Sequence, residues 1–210
     1  MARQKKSKTS NWLRRHRRDR YVRQAHREGY RSRAAYKLEQ INERDHLFNP
    51  GDVVLDLGAS PGSWSQFAIG KVSPGGRVVA VDILPMEPLK GVDFVLGDIT
   101  DPQTYCAVDG CLGAAGVDLV ISDLAPSITG VRAADQARCI QLAELARKIA
   151  LQVLKADGSL LVKIFEGELA QEFREQTEIL FERAIVRKPS ASRSTSREIY
   201  ILASRSIRTG

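Results

Sequence analysis

The chain has 210 residues, 43% apolar and 27% charged, which describes one globular domain with room for a buried core. No apolar run reaches the roughly 18 residues of a membrane span, and no apolar stretch follows the basic N-terminus as in a secretory signal. The net charge of +7 is uneven: residues 1–37 hold 14 Lys and Arg against 2 Asp and Glu, while the rest of the chain holds 18 against 23.

That asymmetry sets a basic arm on a mildly acidic domain and points to a polyanion, with nucleic acid first. Residues 1–30 read as a flexible or conditionally helical arm. In it Arg14, Arg15, Arg17, Arg18, Arg20 and Arg23 can neutralise phosphates, and Trp12 and Tyr21 can stack on bases. A solubilising tail is the plainer alternative. A transit peptide is a third, disfavoured because the basic stretch runs unbroken into a helix that carries a site residue. Three cysteines (Cys106, Cys111, Cys139) without paired spacing argue against a disulfide framework or a zinc cluster. The scattered His16, His26 and His46 lack metal-ligand spacing. No metal is expected, and a reducing, cytoplasmic setting fits.

Residues 31–210 read as a single domain. Ser32 is placed to N-cap a helix running to about Glu43, with Ala34, Leu38 and Ile41 on its inner face. Pro50-Gly51 breaks it. Strands follow at Val53–Leu57, Arg77–Val81, Val92–Leu96 and Val117–Ser122, with a helix from about Ser63 after the first. A long helix is expected at about 132–154, where Leu142, Leu145, Ala146, Ile149, Ala150 and Val153 make one stripe. After the turn Ala156-Asp157-Gly158 comes a fifth strand, Ser159–Phe165. A helix at about 168–181 leads to strands near 183–188 and 198–203. Apolar strands separated by helices predict an α/β fold, with a seven-stranded, mostly parallel sheet covered on both faces. The short loop between the last two strands predicts an antiparallel hairpin at one edge.

In such a sheet ligands bind at the carboxyl ends of the strands. There stands Asp56-Leu57-Gly58-Ala59-Ser60-Pro61-Gly62-Ser63-Trp64, a glycine turn into a helix. Asp82 ends the next strand, 20 residues after Gly62, a spacing suited to ribose hydroxyls. The dinucleotide fingerprint G-x-G-x-x-G is missing, and Pro61 removes an N–H that a pyrophosphate would use. A nucleoside ligand without phosphates fits better, and S-adenosylmethionine meets that description. Asp98, after the third strand, adds an acid placed for an adenine amino group.

Charged residues interrupt the apolar strands. Lys163 lies within Leu160–Phe165, Asp123 follows Val117–Ser122, and Glu198 opens the last strand. A buried charge is costly by several kcal/mol unless paired. Five segments share a pattern in order: Arg33-Ala34-Ala35-Tyr36-Lys37-Leu38, Asp56–Trp64, Ser122-Asp123-Leu124-Ala125-Pro126, Lys163-Ile164-Phe165-Glu166-Gly167 and Ser196-Arg197-Glu198-Ile199-Tyr200. Together they resemble the FtsJ-like RNA 2′-O-methyltransferases over about residues 12–203. The resemblance implies a Rossmann-like methyltransferase fold, S-adenosylmethionine as cofactor, and a Lys-Asp-Lys-Glu tetrad at Lys37, Asp123, Lys163 and Glu198. It puts cofactor contacts on Gly62, Trp64, Asp82, Asp98 and Asp123. The length, the basic arm and the lack of appended domains look most like the bacterial branch of the family that acts on a uridine of 23S ribosomal RNA. The expected partner is therefore ribosomal RNA in the large subunit, approached by a monomer, with no membrane involved. Ser127 stands where the pattern has Asn, and Glu166 where it has Gln; both bear on substrate contacts rather than on the tetrad.

Two roles are open for Lys163: a neutral general base for the ribose 2′-hydroxyl, or a cation that stabilises the developing alkoxide. The rival readings are a transfer RNA 2′-O-methyltransferase and a non-catalytic ribosome-assembly protein on the same scaffold. Four retained charges argue against the latter. Base-amino and cytosine-C5 methylation fit poorly. Leu124-Ala125-Pro126 lacks the Pro-Pro-aromatic pattern, and Cys139 falls within the long helix instead of a strand-end loop.

Overall fold

The computed structural model describes residues 19–193 and 195–207. The expected phosphate contacts at Arg14, Arg15, Arg17 and Arg18, and the stacking role of Trp12, lie outside the described residues. The elements are α1 (Arg20–Glu28), α2 (Ala35–Asp45), β1 (Val53–Leu57), α3 (Ser63–Val72), β2 (Arg77–Asp82), β3 (Val92–Leu96), α4 (Pro102–Leu112), β4 (Val117–Ser122), α5 (Arg132–Val153), β5 (Leu154–Phe165), α6 (Glu168–Leu180), β6 (Phe181–Arg187) and β7 (Glu198–Ser206). One seven-stranded sheet has the order β3-β2-β1-β4-β5-β7-β6. β1 to β5 pair in parallel, and β7 runs antiparallel to both β5 and β6. The expected hairpin is present, with its second strand inserted between β5 and the edge strand β6.

The central strands β1, β2 and β4 lack polar alternation because both faces are covered. Leu55, Leu57, Val79, Val81, Val120, Leu160 and Val162 face a core built with α5 and α6. Val54, Val78, Leu119, Ile121, Leu161 and Leu202 face Leu38 and Ile41 of α2 and Trp64 and Phe67 of α3. Among the described residues no helix is long and apolar enough to cross a membrane, and no group of three or more His, Cys, Asp or Glu is placed to hold a metal ion.

Several expectations shift. α2 begins at Ala35 and not at Ser32, because Ser32 Oγ turns back to accept from Ala34 N (3.1 Å) and meets Ser63 Oγ (2.8 Å). The helix is led in by i→i+3 bonds from Ala35, Tyr36 and Lys37 to Ser32, Arg33 and Ala34. The turn at Ala156-Asp157-Gly158 is a bulge inside a longer β5: Val117 faces Leu154 but Leu119 already faces Ser159. The stripe of α5 is rotated. Cys139, Ile140, Ala143 and Ala146 lie at its centre, and Leu142, Leu145 and Val153 are half-buried on its flanks. α6 covers one of those flanks, where Arg147 donates to Thr177 Oγ1 (2.9 Å). α4 had no counterpart in the reading of the sequence. Its inward stripe is short, with Thr104, Val108 and Leu112 one turn apart; Asp101 caps it through Thr104 N and Pro102 occupies its first turn.

α1 is capped by Asp19, whose Oδ1 accepts from Tyr21 N (3.0 Å), and ended by Gly29 at φ 76°. It buries Tyr21 and Ala25 against Tyr36 and Ala191. The Tyr21 ring lies 5.4 Å from that of Tyr36, and its hydroxyl is bonded to Arg20 and Gln40. Tyr21 is therefore a core residue, and its ring is not free to stack on a base. Arg20, Arg23 and Arg27 line the exposed side of α1.

Candidate active site

Four charged side chains expected from the sequence converge at the carboxyl ends of β4 and β5. In the β5–β7 ladder Lys163 faces Tyr200 and Phe165 faces Glu198. The two-residue period therefore puts Lys163, Tyr200 and Glu198 on the face that α2 covers. α2 delivers Lys37, whose Nζ donates to Glu198 Oε2 at 2.8 Å. Lys163 Nζ donates to the backbone oxygen of Asp123 at 2.6 Å and lies 3.1 Å from its Oδ1. The Lys163 side chain is only 3% exposed, so this pairing is what makes its burial tolerable. Tyr200 Oη also donates to Asp123 Oδ1, at 3.0 Å.

The electrostatics follow from burial and from these pairs. Burial works against the charge on Lys37, but the carboxylates of Asp123 and Glu198 outweigh it and hold the ammonium above the usual lysine range. Burial pushes the Asp123 carboxyl up, but Lys163 and Lys37 overcome it and hold the group below the usual range. Burial, with Asp123 and Glu198 adding to it, pushes the Tyr200 phenol well up. At neutral pH Asp123 is a carboxylate, Lys37 an ammonium and Tyr200 a neutral donor.

The glycine turn lies beside this cluster. Gly62 has φ 101°, and a Cβ there would meet Met86 Sδ at 2.5 Å and Arg31 Nη1 at 2.7 Å. Arg31 ties the turn to the loop after β2, donating to the backbone oxygens of Pro61 (3.0 Å), Glu87 (2.6 Å) and Pro88 (2.9 Å). Asp82 accepts from Ser60 N (2.9 Å) and Leu84 N (2.8 Å), one bond on each oxygen. A carboxylate has about four acceptor positions, so capacity for two hydroxyls is left. Asp98 holds its own turn through Thr100 N and Oγ1 (2.9 and 2.7 Å), and those bonds keep its carboxyl below the usual range. Trp64 is 2% exposed, with its indole N–H on Ala34 O (2.9 Å) and its ring 5.7 Å from Tyr200. What it can offer a ligand is its backbone N–H in the first turn of α3.

Two features of the site were not assigned from sequence. Tyr200 stood in the last motif as one more apolar strand residue, and its bond to Asp123 is visible only in the ladder. Asp56 lies in β1 and is fully buried. Ser65 Oγ donates to its Oδ2 at 2.6 Å, and its Oδ1 has no hydrogen-bond partner. Burial, opposed by Ser65 and helped by the charges of Asp123 and Asp82, pushes its carboxyl up to about 7. The signal was present in Val53–Leu57 as an acid inside an apolar run.

A doubly wound sheet with a ligand turn after β1, an acid ending β2 and paired charges after β4 and β5 defines the Rossmann-like methyltransferase class. The same fold occurs in a solved Plasmodium falciparum structure described as a ribosomal RNA methyltransferase. The TM-score is 0.77 and the identity 24%, covering 84% of this chain and 98% of that one. It occurs also in Aeropyrum pernix fibrillarin, solved with S-adenosyl-L-methionine, at a TM-score of 0.55 and 18% identity over 83% and 75% of the two chains. The model of the FtsJ-like methyltransferase family matches residues 30–206. The Thiobacillus denitrificans protein named ribosomal RNA large subunit methyltransferase E is 48% identical over 199 residues, 95% of this chain and 90% of that relative. The chain belongs to the FtsJ-like methyltransferase family, as its five motifs led us to expect.

Proposed function

We propose that this protein transfers a methyl group from S-adenosylmethionine to a ribose 2′-hydroxyl of ribosomal RNA in the large ribosomal subunit, acting in the cytoplasm as a monomer. The observation that carries this reading is the pairing of Lys163 with Asp123 and of Lys37 with Glu198 beside the Gly62 turn. The name of the Thiobacillus denitrificans relative supports the choice of RNA, and the methyl donor held in the fibrillarin structure supports the cofactor.

The residues fit that cofactor. Gly62 has φ 101° and no room for a Cβ beside Met86 and Arg31, so the turn needs glycine, the residue that lets a backbone come close to a ligand. Asp82 has acceptor capacity for ribose hydroxyls, Asp98 suits an adenine amino group, and the Trp64 backbone N–H and Asp123 complete the set. Bound S-adenosylmethionine supplies a methyl activated by its sulfonium. The protein's share is to position the acceptor and manage its proton. Lys37 donates to the Glu198 carboxylate, and Lys163 donates to the backbone oxygen of Asp123 while paired with its carboxylate, so both are arranged to stabilise negative charge developing on the 2′-oxygen. Asp123 and Glu198 hold the two lysines in place. The general-base version would require Lys163 to release its proton first. The basic arm at residues 1–30 would neutralise phosphates of the same RNA.

The test is transfer from labelled S-adenosylmethionine to large subunits lacking their own modification, with free 23S rRNA and transfer RNA in parallel. Labelling of the subunit at a ribose 2′-oxygen is expected, and is expected to vanish in Lys163→Ala. Labelling of transfer RNA alone overturns the substrate. Tight subunit binding without any labelling overturns the enzyme in favour of an assembly factor. An activity that rises with pH as Lys163 loses its proton, an ascending limb absent from the residual activity of Lys163→Ala, would reinstate the general base.

A further inference from the structure

Asp19 performs two tasks with its two oxygens. Oδ1 caps α1 through Tyr21 N. Oδ2 is shared by two arginines: it forms an ion pair with Arg33 Nη1 and lies 3.7 Å from Arg193 Nε, beyond a hydrogen bond. Arg33 immediately precedes the last residue before α2 and sits one helical turn from Lys37, while Arg193 lies in the loop between β6 and β7, five residues before Glu198. The two guanidinium groups come from opposite ends of the chain and meet at the same rim. With Ala34, Lys37, Ser196 and Glu198 they line a recess of about 340 Å³ that opens beside the Lys37–Glu198 pair. Glu198 is already taken up by Lys37. One carboxylate oxygen therefore faces two guanidinium groups; Arg33 also donates to the backbone oxygen of Ala191, while Arg193, half exposed, has no hydrogen-bonded acceptor among the described residues. Burial and the Arg193 charge both press Arg33 below the usual arginine range, as expected where like charges crowd around too little anion.

A guanidinium fork matches carboxylate and phosphate alike. A phosphodiester brings two non-bridging oxygens, one for each arginine, where Asp19 brings one. We propose that Arg33 and Arg193 seat the RNA phosphate adjacent to the ribose that receives the methyl, and that Asp19 is the protein's internal stand-in for that phosphate. The inference rests on the methyl-transfer reading above for the identity of the polyanion. Asp19 competes with the RNA for the two arginines, so the resting structure keeps them ordered at the expense of affinity. Arg33 and Arg193 are positioning residues that fix the ribose against Lys37 and Lys163 without touching the reacting atoms.

The test compares three variants of the full chain, measuring affinity for large ribosomal subunits over a range of salt, together with KM and kcat. Asp19→Asn keeps an acceptor for the α1 cap and removes the competing charge. It is expected to bind RNA several-fold more tightly, with a salt slope steeper by about one. Arg193→Ala is expected to bind more weakly, with a slope shallower by about one and an increased KM at little change in kcat. Arg193→Lys is expected to recover part of the loss. S-adenosylmethionine affinity serves as the check that each variant is folded. Unchanged or weaker RNA binding by folded Asp19→Asn overturns the proposal, as does an unchanged salt slope in Arg193→Ala. Normal methyl transfer with those slopes unchanged defeats the phosphate seat alone. Absent methyl transfer with the slopes shifted defeats the enzymatic reading and leaves the seat standing.

Discussion

The two ends of the sheet treat charge in opposite ways. At the amino end Asp118 accepts from Lys155 Nζ (2.7 Å) and from Val53 N (2.8 Å), and the Lys155 side chain is 37% exposed. Its charges reach water and its bonds join neighbouring strands. At the carboxyl end Lys163 is sealed in beside Asp123, Asp56 is buried with one oxygen unpartnered, and so is Ser122 Oγ. A chain selected for stability alone would fill such positions with apolar side chains, since replacing buried ion pairs that way is often neutral or stabilising. The carboxyl end gives up stability to hold groups where a ligand needs them, and the amino end does not.

That contrast can be broken from either side. The largest effect is expected at Lys163. Its replacement by Ala should lower methyl transfer by roughly 10²–10⁴-fold while leaving S-adenosylmethionine affinity in place, read from single-turnover labelling. Retained activity would mean that the buried pair is structural after all. Next comes Asp56. Its folded carboxyl stands at about 7 against an ordinary value of 3.8, so the stability it contributes is fully present below about 3.8 and lost as pH rises through about 7. Urea unfolding of the parent should therefore weaken over that window, and Asp56→Asn should flatten the dependence. The variant should gain on the order of a few kcal/mol over the parent at pH 8. A parallel pH dependence in the two proteins would show that Asp56 is ionised and partnered across the range. At the amino end Asp118→Ala should lose about 1–2 kcal/mol of stability with unchanged methyl transfer. The smallest effect belongs to Lys155→Ala, within about 1 kcal/mol, because its partner is lost from a half-exposed pair. Activity that tracks either amino-end variant would erase the distinction.

How far the sequence could be read follows the same division. The apolar runs of β1, β4 and β5 and the glycine turn are local patterns, so they were visible, as were Lys163 and Asp123 as charges interrupting apolar strands. Glu198 was visible as a charge opening the last apolar strand, whereas Lys37 looked like an ordinary solvated lysine that only its motif singled out. α4 was missed because its stripe of Val108, Cys111 and Leu112 is short and begins with the polar Thr104, leaving the cap as the stronger signal. The start of α2 was misplaced because Ser32, with its Oγ on Ala34 N, caps a tight i→i+3 turn that precedes the helix, and Ser63, 31 residues away, holds the same hydroxyl.

Residue order and period were enough to establish the α/β class, the buried central strands and the ligand turn, and the five motifs, by resemblance, the family. Pairing was left to the folded chain. Lys37 and Glu198 are 161 residues apart, and Tyr200 and Asp123 77. The second depends on the β5–β7 register, and the first also on the angle at which α2 lies across the sheet. The same holds for the protonation of Asp56, set by burial that a linear chain does not express, and for Asp19 between Arg33 and Arg193. Backbone preferences act over a few residues and leave a trace in the sequence. Burial and electrostatics act between whatever packing brings together, so the state of the site was decided only when the sheet closed around it.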